Sequence, residues 1–221
     1  MPGQASMKSL VAYEKVRDLI LSGVKLPGTR LVLSELESEL KISKGPLREA
    51  LIRLDRSGLV YNLPYKGCIV APPPRLEEMQ IISDLRLDLE CRSAGIALRK
   101  TTKKQIHRLE EILRSSLGIT ETGNGFFNAN KLFHLALCEC SGMTHISLIL
   151  SKLLELIEVF QNLYYHEPRN SEGYNNDHAL IIQALRDKDE KQLDAVLRRN
   201  IQDGMQLVDK GYHVRLKPPV D

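Results

Sequence analysis

The chain has little cysteine and spends it without a pattern. Cys68, Cys91, Cys138 and Cys140 fall at spacings that suit neither a disulfide framework nor a zinc knuckle. A reducing, cytoplasmic setting is the expectation. No run of residues stays apolar for the length that a membrane-spanning helix needs, so no membrane partner is expected. The opening residues MPGQASMKSL lack the apolar core of a secretory signal. A glycine-rich phosphate loop and a recognisable nucleophile motif are both missing, so nothing in the sequence calls for an active site. There is no internal repeat and no low-complexity tract.

What is present is an ordinary globular composition, 43% hydrophobic and 27% charged over 221 residues, enough for one large domain or two small ones. The net charge of +3 is unevenly placed: residues 1–71 carry eleven Lys and Arg against seven Asp and Glu, while residues 72–221 carry twenty against twenty-one. A basic head on a near-neutral body suits a polyanion-binding module joined to a sensing or oligomerising one.

The head spells its own architecture between Leu26 and Val70. A first helix is expected over Ser9–Ser22, with Tyr13, Val16, Leu19 and Ile20 inward and residues 1–8 loose. Ser34 followed three residues later by Glu37 reads as a capping box, opening a short helix that buries Leu36 and Leu40. The chain then turns through Ile42, and Ser43 caps a second helix with Pro46 tolerated in its first turn. Leu47, Ala50, Leu51 and Leu54 recur at i, i+3, i+4 and i+7, giving that helix one apolar stripe, while Lys44 and Arg48 share another face. Ser57-Gly58 stops it. Leu59–Asn62 and Cys68–Ala71 read as two strands joined by Leu63-Pro64-Tyr65-Lys66-Gly67, a turn-rich hairpin. A short helix, a tight turn, a basic helix and a hairpin wing make a module whose second helix enters the major groove of double-stranded DNA. Ser34, Ser43, Lys44, Gly45, Arg48, Lys66 and Gly67 are the candidate DNA-contacting residues.

Prolines 72–74 stiffen the joint that follows. The expected division is a winged helix-turn-helix domain at 1–71, a linker at 72–75 and an all-α domain at 76–221. Every later segment has helical period: Leu76–Arg99 with Met79, Ile82, Leu85, Leu89 and Ile96 inward, Lys103–Leu117, Phe126–Cys140 after a loop at Thr122–Gly125, Met143–Tyr165 ended by Pro168, Tyr174–Arg186 and Glu190–Lys210. The tail from Arg215 is expected to be disordered. The fold class is therefore mostly α, a winged helix-turn-helix followed by a helical bundle.

Within the bundle, polar residues occupy positions where the period expects apolar ones. Asn130 and His134 are four apart, His178 shares a face with Ile181, Ile182 and Leu185, Asn200 sits in the stripe of Leu193, Leu197, Gly204 and Leu207, and Arg86 lies on the stripe of Ile82, Leu85 and Leu89. Buried polar groups need partners, so several on different helices suggest a shared pocket for a small-molecule effector. Each also has a plainer reading. His134 or His178 alone could be a satisfied core histidine, Arg86 could pair with Glu90 at i, i+4, and Asn200 could bond between helices. A metal-dependent helical enzyme using His134 and His178, and a binding protein whose wing meets only proteins, are the alternatives.

The run Ile42-Ser43-Lys44-Gly45-Pro46-Leu47-Arg48-Glu49-Ala50-Leu51, preceded by Leu26-Pro27-Gly28-Thr29-Arg30-Leu31, resembles the N-terminal domain of GntR-superfamily transcription regulators. Arg86-Leu87-Asp88-Leu89-Glu90, Asn130 to His134, Asn176-Asp177-His178-Ala179-Leu180 and the helix around Asn200 resemble the helical FCD ligand domain of the FadR-like branch. The resemblance implies a homodimeric regulator, a repressor in expectation, that reads two half-sites and answers to a small organic carboxylate, for which Arg86 is a candidate anchor. It also maps the ligands of a divalent metal onto Asn130, His134, His178 and Asn200. Two of the four depart from the carboxylate and three histidines of relatives, so zinc or nickel is disfavoured. Relatives usually carry Arg where Lys44 stands, and a small residue at Glu37.

Overall fold

The computed structural model describes residues 4–63, 67–72, 75–117, 124–164 and 171–215. The chain divides into two compact units, Met1–Pro74 and Arg75–Asp221.

In the first unit, α1 (Gln4–Leu21) packs on α3 (Lys44–Arg56). Ala12, Val16 and Ile20 of α1 meet the stripe Leu47, Ala50, Leu51 and Leu54, all buried. The helix begins well before Ser9, so residues 4–8 are helical rather than loose, and Tyr13 and Leu19 are only half-buried while Ser9 and Arg17 take the inner line. Two residues, Arg30–Leu31, form β1, which the sequence did not announce. β1 pairs antiparallel with β3 (Gly67–Val70), and β3 with β2 (Val60–Leu63), in the order β1-β3-β2. The wing is thus a three-stranded sheet, its hairpin strands starting within a residue of expectation. Turn residues Pro64, Tyr65 and Lys66 lie outside the described residues, as do Pro73 and Pro74 of the linker and residues 216–221 of the tail.

The start of α2 (Leu33–Leu40) corrects the sequence reading. Leu31 is buried and held in register with Cys68, so the chain leaves the sheet straight into the helix and Val32 becomes the N-cap, with no side-chain cap bond. Ser34 falls inside the first turn, and the Ser34–Glu37 capping box does not form. Lys41 closes α2 in the left-handed region (φ 56°). Ser43 does stand at the N-cap of α3 with extended backbone, but its hydroxyl makes no cap bond. Pro46 sits in the first turn, where the missing N–H costs nothing. Arg53 and Arg56 occupy the last turn, the favourable end of the helix dipole. Gly58 (φ 78°) then turns the chain into the wing.

In the second unit, α4 (Leu76–Lys100), α5 (Lys103–Ser116), α6 (Asn124–Glu139), α7 (Thr144–Tyr164), α8 (Ser171–Asp187) and α9 (Glu190–Arg215) form an all-α bundle. α4 packs against α6, α7 and α9, and α8 against α5 and α9. One core joins Leu98, Leu109, Phe133, Leu137, Ile181, Leu185, Leu193 and Leu197. A smaller cluster unites Met79 and Ile82 with Ile157. Helix ends fall within a few residues of expectation: Asn124 and Gly125 are helical rather than loop, and α9 reaches Arg215. A capping box that the sequence reading missed opens α5, where Thr102 Oγ1 accepts from the Gln105 amide and Gln105 Oε1 from the Thr102 amide.

The buried line of α4 is the informative departure. Leu85, expected inside, is 55% exposed, and Leu89 and Ile96 are half-buried. The inner line runs instead through Met79, Ile82, Ser83, Arg86, Glu90, Ser93, Ala94 and Ala97. Two opposite charges four residues apart can share a dry face because each supplies the other's counter-charge.

Candidate DNA-reading surface and buried polar cluster

The division of α3 is sharp. Its stripe is within 6% of complete burial, whereas Ser43, Lys44, Gly45, Arg48 and Glu49 are exposed. Lys44 and Arg48 sit one turn apart on this outer face. A side chain at Gly45 would meet nothing within 4 Å, so internal packing does not ask for glycine there. Ser34 is exposed on α2. Lys44 Nζ stands 3.6 Å from Glu37 Oε2, so Glu37 faces the helix-turn-helix surface rather than a cap. Gly67 (φ 81°) takes a conformation that favours glycine, and a Cβ there would lie 3.6 Å from Arg30 Nε. That guanidinium therefore lies beside the wing. Sequence reasoning passed over Arg30 because its two-residue strand has no period to detect.

In the bundle, the structure draws the polar residues of α4, α6, α8 and α9 together around His134. Arg86 Nε donates to Glu90 Oε1 at 2.6 Å, and Glu90 Oε2 lies 2.6 Å from His134 Nδ1. His134 Nε2 is 3.1 Å from Asn200 Oδ1. The His178 ring stacks on Phe133 at 3.9 Å and meets His134 edge-on at 5.4 Å. Arg86, Glu90, His134, His178 and Asn200 are all at most 4% exposed. Asn130, one turn before His134 on α6, is half-buried, yet its Oδ1 is enclosed. Glu90 is the member that sequence reasoning undervalued. Its spacing from Arg86 was visible, its reach to His134 was not.

Burial alone would raise the Glu90 pKa. The charges and hydrogen bonds of His134 and Arg86 outweigh it and bring the carboxyl down to about 2. Glu90 is therefore ionised and only accepts, so His134 Nδ1 carries the proton it donates. Burial, with the charges of His134 and Arg86, pushes His178 well below its ordinary value, against the pull of Glu90, and the ring is neutral at physiological pH. With Oδ1 turned to His134 Nε2, the Asn200 carboxamide leaves its Nδ2 without a partner. Among the described residues three buried side-chain atoms have no partner: Asn130 Oδ1, His178 Nε2 and Asn200 Nδ2.

Arg86, read as a candidate carboxylate anchor, thus turns its Nε to Glu90, the plainer i, i+4 alternative. The cluster does not fit zinc or nickel. Asn130 offers a neutral amide where a carboxylate is needed, Asn200 offers no imidazole, and both nitrogens of His134 are engaged. Among the described residues no group of three or more His, Cys, Asp and Glu is disposed to hold a metal ion. The metal-dependent enzyme alternative finds no support in this donor set. All four cysteines are free thiols, and burial first of all pushes Cys68 up to about 11 and Cys91 to about 12. Among the described residues no helix is long and apolar enough to cross a membrane.

Comparison with known proteins gives the same two parts. Residues 8–70 match the model of bacterial regulatory proteins of the gntR family, and residues 81–203 match that of the FCD domain. The chain is 25% identical to the HTH-type transcriptional regulator McbR of Escherichia coli (strain K12), over 96% of this chain and 100% of the relative. It is 29% identical to the gluconate operon transcriptional repressor of Bacillus subtilis (strain 168), over 90% of this chain and 84% of that one. The solved structure of E. coli McbR/YncC superposes with a TM-score of 0.76 at 23% identity, covering 93% of this chain and 98% of that one. A putative GntR regulator from Rhodococcus sp. RHA1 gives 0.70 at 21%, with the same coverage. The chain belongs to the GntR family of helix-turn-helix transcriptional regulators, with an FCD domain as its helical unit.

Proposed function

We propose that this regulator is a cytoplasmic homodimer that reads a two-fold DNA site and releases or holds it according to a small molecule bound in the helical unit. The observation that carries the DNA reading is the division of α3, one face sealed by four apolar residues and the other presenting Lys44 and Arg48. In this reading Lys44 and Arg48 contact base edges. Ser43 and the side-chain-free surface at Gly45 let a phosphate approach, and Ser34, Lys66 and Gly67 flank the groove. Arg30 joins them as a positive group beside the wing. Dimerisation follows from the geometry of such modules, which read half-sites in pairs. Repression is the sense suggested by the gluconate operon repressor among the relatives.

The effector site in this proposal is the cluster around His134. The unpartnered atoms of Asn130, His178 and Asn200 meet the ligand, while Arg86 and Glu90 hold His134 in position. Such a ligand alters DNA binding only if its affinity differs between the two arrangements of the dimer. Enrichment from random duplexes tests the reading. A roughly palindromic motif is expected, and a pool without any enriched sequence would contradict it.

A further inference from the structure

We infer that Glu37 determines specificity: together with Lys44 it reads a single G·C base pair. The inference rests on α3 being the recognition helix, as proposed above. Glu37 and Lys44 approach to 3.6 Å with side chains 41% and 54% exposed. So exposed a pair adds little to stability. Nor does Glu37 hold the start of α2, whose N-cap is Val32 and which has no side-chain cap bond. The fold therefore gives no reason for a carboxylate beside the recognition helix, and next to phosphates that carboxylate weakens binding.

Its chemistry becomes useful where a base presents a donor. An ionised carboxylate only accepts, and an ammonium only donates. Across the major groove a G·C pair presents acceptor, acceptor, donor: guanine N7 and O6, then the cytosine N4 amine. An A·T pair sets its donor, adenine N6, between two acceptors. An ammonium bridging two adjacent acceptors, with a carboxylate beside it, matches the first order, Lys44 on guanine N7 and O6 and Glu37 on cytosine N4, whereas on an A·T pair the ammonium finds no two adjacent acceptors. Lysine alone, a point donor without guanidinium's fork, discriminates poorly among acceptors. Glu37 supplies the missing requirement for cytosine opposite, and Arg48 is left for the neighbouring step.

The test uses the full chain in three forms, wild type, Glu37→Ala and Lys44→Ala. Each is taken through enrichment from random duplexes and then titrated against duplexes that differ at one base pair. Wild type should select a G·C pair at one position of each half-site. Glu37→Ala should lose about 5- to 100-fold of discrimination at that position alone, keep the rest of the motif, and bind mismatched duplexes as tightly or more tightly. Lys44→Ala should lose preference at the same position. Unchanged thermal melting of both variants would show that the fold is intact. A Glu37→Ala protein with the wild-type motif and uniformly raised affinity would overturn the inference, showing that Glu37 acts only as bulk charge. Equal loss of affinity for all sequences would also overturn it. If wild type itself selects no motif, the DNA reading fails first and takes this inference with it. A clear wild-type motif left unchanged by Glu37→Ala defeats this inference alone.

Discussion

Glu90→Gln should destabilise the helical unit strongly at neutral pH and less in acid. The substitution keeps the size of the side chain and an oxygen to accept from His134, but removes the charge facing Arg86. In the folded protein the carboxyl titrates at about 2, against 4.5 when unperturbed. That difference is worth about 3 kcal/mol of stability at pH 7. The folded pKa is depressed, so this contribution is complete above the unfolded value and is lost as pH falls through 4.5 toward 2. At pH 3 it should shrink to roughly half. The independent expectation for breaking a buried ion pair, roughly 3–5 kcal/mol, agrees in size. Urea unfolding followed by far-UV circular dichroism at pH 7 and pH 3 measures both values. On heating, the loss corresponds to a midpoint lower by about 6–12 °C. A variant within about 0.5 kcal/mol of wild type at both pH values, the size of an ordinary surface change, would refute the reasoning. So would a deficit that stays constant with acidification, since the Arg86–Glu90–His134 chain would then not be held by the Glu90 charge.

Phe133 is fully buried and stacked on His178, so Phe133→Ala should cost about 3–5 kcal/mol in the same unfolding assay. Arg48→Ala should weaken binding to the selected duplex by about 1–3 kcal/mol, measured by fluorescence anisotropy, with no change in melting. Lys44→Arg should alter base preference rather than abolish binding, because guanidinium adds a planar fork, and identical selected motifs would mean that Lys44 reads no base. Purified wild type should carry less than one zinc or nickel per chain by elemental analysis. Asn130→Asp with Asn200→His should gain a metal site that raises the melting temperature when either ion is added. One tightly held metal per wild-type chain would overturn the reading of the donor set.

The parts legible in the sequence are those where one physical signal dominates. The stripe of α3 and the stop at Gly58 depend only on local period and backbone freedom, and both are found. The start of α2 was misread because a tertiary constraint, Leu31 pinned against Cys68, outweighs the capping preference of Ser34. β1 is too short to show alternation. On α4 the apolar period led to Leu85, whereas the buried line is carried by Arg86 and Glu90, whose mutual compensation no hydropathy pattern contains. The convergence of His134, His178 and Asn200 was readable as polar residues on apolar faces, together with the family resemblance. That Glu90 rather than a ligand takes His134 Nδ1 depends on how α4 and α6 pack, 44 residues apart in sequence.

The most direct test of the central claim is the salt dependence of binding to the selected duplex and to a scrambled one, with the full chain, between 50 and 200 mM salt, the range over which phosphate contacts are diagnostic. The logarithm of affinity should fall linearly with the logarithm of salt on both duplexes, with the selected site tighter by roughly 10³-fold or more. Binding that is insensitive to salt, or equal on the two duplexes, would contradict a sequence-reading basic head.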